Sequence, residues 1–90
     1  MSRIVSITLQ NNEDARPIIE AIEQDNPDAI ATFLPALVKI DCEGRLIVKQ
    51  ETVEELIGRE WDVQELHLSI ISIAGNVDEE DEYFELSWNT

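Results

Sequence analysis

Cys42 and His67 are the side chains of this 90-residue chain best suited to nucleophilic or metal chemistry, and each is the sole residue of its type. A cysteine nucleophile needs an activating base or an electropositive setting, and nothing in the sequence places His67 beside Cys42. Glu65 and His67, two residues apart, would project from one face of a strand as a pair of metal ligands does. A stable metal site takes three or four such donors. Asp and Glu together number 20, so close carboxylate pairs are unavoidable in any fold and say little about acid–base chemistry. The acidic run Asp78–Glu82 lacks the alternating acids, central glycine and terminal Glu of a calcium loop, and there is no glycine-rich phosphate loop or dinucleotide fingerprint. We therefore expect no catalytic, cofactor-binding or metal-binding residues and no cofactor. A folded chain without a catalytic set works by binding, so the expected role is non-enzymatic.

The formal charge of −14 narrows the partners. Without an excess of Lys and Arg there is nothing to replace the counterions of DNA or RNA, so no nucleic acid is expected. An anionic membrane surface is disfavoured for the same reason, and no apolar stretch approaches the roughly 18 residues of a membrane span. A partner with a basic face would be steered toward this chain, faster at low salt. No secretory signal is visible at the start, and a lone Cys42 precludes an internal disulfide. A reducing cytoplasm is the expected location.

The elements that must present a binding face follow from pattern. Ile4–Leu9 is rich in β-branched residues and reads as a strand. Ala15, Ile18, Ile19 and Ile22 fall on one face of a helix, with Pro17 acceptable in its first turn and Asn26-Pro27 stopping it. Ala29–Leu34 and Ala36–Asp41 suit strand, with Pro35 marking an edge or bulge. Cys42–Arg45 reads as a turn into Leu46–Lys49, which makes a hairpin of the strands around it. Thr52 and Glu55 have the spacing of a capping box for a second helix, with Val53, Leu56 and Ile57 as its apolar face and Gly58 ending it. Val63–Ala74 reads as one long strand, with Leu66, Leu68 and Ile70 on one face and Glu65, His67 and Ser69 on the other. That second face turns apolar at Ile71 and Ile73, which calls for a bulge or a cover. Gly75-Asn76 is a turn, Asp78–Glu82 a solvated loop, and Tyr83–Trp88 a final strand. The expectation is a single α+β domain spanning 1–90, β-α-β-β then α-β-β, with helices packed on a mostly antiparallel sheet.

On pattern, the partner-binding candidates are Ser69, Ile71, Ile73, Gly75 and Asn76, where small hydroxylated and apolar residues would let another surface approach closely and the nearby acids form a rim. On pattern alone, Ile71 and Ile73 facing the sheet core is the preferred alternative. Trp61 and Trp88 could each be an interface hot spot or a core anchor.

Asn-Asn-Glu-Asp-Ala-Arg-Pro-Ile-Ile-Glu-Ala-Ile-Glu at 11–23, Pro-Ala-Leu-Val-Lys-Ile-Asp at 35–41, Gly-Arg-Glu-Trp-Asp-Val-Gln-Glu-Leu at 58–66 and Ser-Ile-Ala-Gly-Asn at 72–76 carry a family likeness. The chain resembles the phenol hydroxylase effector components, a family shared with the regulatory proteins of soluble methane monooxygenase and the toluene monooxygenases. The resemblance implies a cofactor-free effector that binds a diiron hydroxylase, a dimer of heterotrimers working with an NADH-dependent flavin and iron–sulfur reductase. Such effectors settle in a canyon above the diiron centre and couple oxygen activation to hydroxylation. In the methane relative a strand of small residues before a glycine is implicated in docking. The matching stretch here is Ser69–Gly75: Ser69, Ser72 and Gly75 fit that pattern, which adds Ser72 to the partner-binding candidates, while Ile71 and Ile73 stand where the relative has hydroxylated residues. That relative's long N-terminal tail has no counterpart, since a strand is expected from Ile4. Two other classes stay open: a small-molecule-binding regulatory domain, and an acidic mimic or inhibitor of a basic protein.

Overall fold

The structure, a computed structural model, describes residues 3–88. Strand β1 (Ile4–Gln10) buries Val5, Ile7 and Leu9 and turns Ile4, Ser6, Thr8 and Gln10 the other way, the two-residue period of a pleated strand. Helix α1 (Arg16–Asp25) follows a turn in which Asn12 Oδ1 accepts from the Ala15 N–H at 2.9 Å. Pro17 sits in its first turn, and Ile18, Ile19, Ala21 and Ile22 form its buried face. The helix stops at Asn26, ahead of Pro27, as expected.

Strands β2 (Ile30–Phe33) and β3 (Leu37–Glu43) form a hairpin around Pro35. β3 pairs with β1, and β1 also pairs with β5 (Ile70–Ala74), which gives an antiparallel sheet in the order β2-β3-β1-β5. β4 (Arg45–Lys49) pairs with β7 (Tyr83–Ser87) and β7 with β6 (Asn76–Glu79), which makes a second antiparallel sheet of order β4-β7-β6. The expected hairpin between β3 and β4 is therefore corrected. Gly44, at φ +81°, turns the chain out of one sheet and into the other. Two long-range pairings, one in each sheet, replace the local one, and each sets buried apolar residues side by side: Val38 and Ile40 beside β1, and Leu46 and Val48 beside β7.

Helix α2 (Gln50–Ile57) starts directly from the end of β4, with the Gln50 N–H donating to the Glu82 carbonyl at 2.9 Å. Thr52 is thus buried inside the first turn rather than capping it, and no side chain caps this helix. Of its expected apolar face, Val53 is buried, Ile57 half-buried and Leu56 exposed. Gly58 ends it at φ +73°, as expected.

The longest correction is Val63–Ala74. Its first half is a 3₁₀ helix, Val63–Leu68, started by a reciprocal cap: the Gln64 N–H donates to Asp62 Oδ1 and the Asp62 N–H to Glu65 Oε2, both at 2.9 Å. Val63 and Leu66 are buried beneath it. The acidic segment is also shorter as a loop than expected, because Asp78 and Glu79 belong to β6.

One cluster of buried residues joins both sheets and both α-helices, and Trp61, 4% exposed, is part of it. Trp88 instead lies at the surface, its Nε1 donating to the Ile4 carbonyl at 2.9 Å. The α+β class with helices on antiparallel strands is as expected; the strands divide between two sheets. Among the described residues no helix is long and apolar enough to cross a membrane.

Candidate partner-docking surface

Strand β5 is an edge strand, and its outer side has no neighbour among the described residues. Its register against β1 explains which side chains it shows. Ser72 stands opposite Thr8 and Ala74 opposite Ser6, but Leu9 faces Ile70, so the pairing slips between Thr8 and Leu9 and leaves Ile71 as the extra residue of a bulge. The bulge turns Ile71 outward, half exposed at 50%. Ile73 lies opposite Ile7 on the core side, yet at the sheet margin it stays 39% exposed. Of the preferred alternative, a core-facing pair, Ile73 keeps the core side and Ile71 leaves it, and among the described residues no strand covers the edge.

The other candidates divide. Ser72 and Asn76 are exposed. Ser69 is buried at the end of the 3₁₀ helix, its N–H donating to the Leu66 carbonyl at 3.0 Å and its carbonyl accepting from Gln10 at 2.9 Å. Gly75 is the pivot between the sheets. At φ +140° an added Cβ would lie 3.1 Å from Val5 Cγ1 and 3.5 Å from Leu86 Cβ. Only glycine fits a backbone this close to its neighbours in that conformation. No charged side chain stands between His67 and Asp78, so the edge is an uncharged strip on a chain of net charge −14. Natural edge strands are usually guarded by charge or proline, and an unguarded one leaves a row of backbone groups open to pairing.

The chemistry-bearing residues do not converge. His67 Nε2 lies 2.7 Å from Glu79 Oε1 and its ring meets Phe84 edge-on at 5.9 Å. Glu65 is engaged in the Asp62 cap, and a 3₁₀ helix replaces the strand on which Glu65 and His67 were expected to share a face. Cys42 is buried on β3; burial, and then the charge of Asp28, push its thiol above the ordinary range. Among the described residues no three His, Cys, Asp or Glu side chains gather as they would to hold a metal ion.

The family model of MmoB/DmpM matches residues 3–87. The chain belongs to the MmoB/DmpM family. Across 88 residues it is 51% identical to the phenol 2-monooxygenase stimulatory component DmpM of Pseudomonas sp. strain CF600, with 98% of each chain covered. A chain from a solved phenol hydroxylase–regulatory protein complex superposes with a TM-score of 0.93 at 50% identity, over 97% of this chain and all of that one. The soluble methane monooxygenase regulatory protein B is 20% identical with a TM-score of 0.75, covering 96% of this chain and 65% of its own, and shares the fold.

Pattern reading missed a second uncharged, exposed segment. Phe33 and Leu34 at the β2–β3 turn are 58% and 48% exposed, and Leu68, at the end of the 3₁₀ helix, is 78% exposed. The available signal was the absence of any charged residue between Asp28 and Lys39.

Proposed function

We propose that this MmoB/DmpM chain is the cofactor-free effector of a multicomponent phenol hydroxylase. The observation that carries the reading is the near-complete match, at 50% identity, to the regulatory protein of a solved phenol hydroxylase complex. The chain acts as a single domain in the cytoplasm. It docks on a diiron hydroxylase, a dimer of heterotrimers, to which an NADH-dependent flavin and iron–sulfur reductase delivers electrons. Iron and bond-making belong to the hydroxylase; the effector contributes binding energy.

Its mechanism is differential affinity. A protein that binds one hydroxylase conformation more tightly shifts the population toward it by that difference, and about 1–3 kcal/mol of coupling changes a population roughly 5–150-fold. Ser72, Ile71, Ile73 and Asn76 on the uncharged edge supply close contact, while Ser69 and Gly75 fix its backbone. The acidic remainder orients the encounter with a basic face.

The test is NADH-dependent phenol oxidation by the matching hydroxylase and reductase, titrated with this protein at low and moderate salt. Product formation rising to saturation near stoichiometry, and weakening with salt, supports the reading. A rate indifferent to the protein rejects it. A folded Ile71→Arg/Ser72→Arg double variant that still activates fully rejects the edge strand as the contact.

A further inference from the structure

The two uncharged segments lie at the same end of the four-stranded sheet, one on each edge. Phe33 pairs with Val38, Val38 with Leu9, and Leu9 with Ile70, so four strand ends lie in line, about 15 Å across at the usual strand spacing. The chain leaving β1 straps both sides of that end. The Gln10 N–H donates to the Ser69 carbonyl at 2.9 Å. On the other side the Asn11 N–H reaches the Ala36 carbonyl at 3.2 Å, and Asn11 Nδ2 the Leu34 carbonyl at 2.8 Å. The Leu34 N–H closes the β2–β3 turn on the Leu37 carbonyl at 2.8 Å. Both tips are therefore held in place before any partner arrives, and little ordering is left for binding to oppose.

These held tips carry Phe33 and Leu34 on one side and Leu68 on the other, all large, apolar and exposed. Between α1 and the 3₁₀ helix lies a cleft of about 370 Å³ whose wall includes Leu68, Ser69 and Trp61, with Glu13, Asp14 and Glu65 among its polar lining. The cleft's one cation, Arg59, donates through Nη1 to the Glu60 carbonyl at 2.8 Å. An uncharged apolar centre with a charged margin is the anatomy of a protein interface. The margin here is acidic, so the complementary surface is apolar with basic groups at its edge.

We infer that this end of the sheet is a second contact zone for the hydroxylase, continuous with β5 at Ser69–Ile70, in which Phe33, Leu34 and Leu68 are the anchoring side chains. The inference rests on the effector reading and extends it to residues that reading does not use. A few residues carry most of the binding energy of an interface, and truncating one of them costs tenfold or more in affinity. Ile30, 67% exposed near the opposite end of β2, provides an internal control of equal hydrophobicity outside the zone.

The experiment measures binding of the purified hydroxylase to wild type, Leu68→Ser, Phe33→Ser/Leu34→Ser and Ile30→Thr, together with stimulation of phenol oxidation by each. We expect Kd to rise about 10-fold or more for Leu68→Ser and for the double variant, and to stay within about 2-fold for Ile30→Thr. Hydrogen exchange of the wild-type chain, free and bound, gives a readout independent of variant folding: segments 33–37 and 67–69 slow on binding. Wild-type stimulation with unchanged Kd in folded anchor variants, or no slowing of those segments in the complex, overturns the inference and leaves the effector reading standing. Absence of both binding and stimulation by wild type removes the reading and the inference together.

Discussion

The carboxamide of Asn26 is bonded on both sides to the backbone of Ile47: Nδ2 donates to the Ile47 carbonyl at 2.8 Å, and Oδ1 accepts from the Ile47 N–H at 2.9 Å. The same Nδ2 donates to the Ile22 carbonyl at 2.8 Å. Asn26 is 7% exposed and so acts as a one-residue strand beside β4, tying the end of α1 to the edge of the second sheet. Asn26→Ala leaves buried donors and acceptors without partners and should cost about 2–4 kcal/mol. Urea unfolding should show a lower midpoint at unchanged slope. An unchanged midpoint would mean that water replaces the amide.

Gly75→Ala should destabilise the chain by about 1–3 kcal/mol, because the residue would be held in a conformation foreign to L side chains. Its Cβ, 3.1 Å from Val5 Cγ1, pushes β1 away from the pivot. We expect a parallel loss of stimulation at concentrations where the variant is folded, since the pivot sets where β5 ends. Wild-type stability in the alanine variant would contradict the tight packing around Gly75.

Leu66 and His67 are neighbours on the 3₁₀ helix with opposite surroundings. Leu66 is fully buried, so Leu66→Ala should cost about 2–5 kcal/mol. His67 is half exposed, and its bond to Glu79 and edge contact with Phe84 are worth about 1 kcal/mol together. His67→Ala should therefore unfold at nearly the wild-type urea concentration. Equal losses from both variants would show that the Glu79 pair, not the core, holds this helix.

Cys42 offers a pH test. Burial and the Asp28 charge raise its thiol above the ordinary value of 9.0, while the unfolded chain keeps that ordinary value. Between the two values the unfolded chain has lost a proton that the native chain retains, so stability falls as pH rises through that window. The contribution is fully present below pH 9.0. Native protein at neutral pH should alkylate slowly, and only as fast as it opens; urea should restore ordinary thiol reactivity. Rapid labelling of the native chain would place Cys42 at the surface. Cys42→Ala should remove the alkaline loss.

What the residues alone determined was local. The strand at β1, the apolar face of α1, the stop at Asn26-Pro27 and the left-handed end at Gly58 all depend on neighbours a few positions away. Those signals were read correctly. So was the family, whose likeness is spread along the whole chain. The start of α2 misled because Thr52 and Glu55 have capping spacing, yet the Glu82 carbonyl, distant in sequence, accepts from Gln50 and starts the helix earlier.

Tertiary structure decided everything that depended on a partner strand. Asp62 and Glu65 also have capping spacing, but apolar alternation through Leu66, Leu68 and Ile70 imitates a strand. Only the burial of Leu66 against the core and the exposure of Leu68 separate the two readings. The division of β3 and β4 between sheets, the bulge that turns Ile71 outward and the placing of Phe33, Leu34 and Leu68 at one sheet end arise from pairings between distant segments. Periodicity records which side chains share a face. Which face is covered depends on what the rest of the chain brings against it.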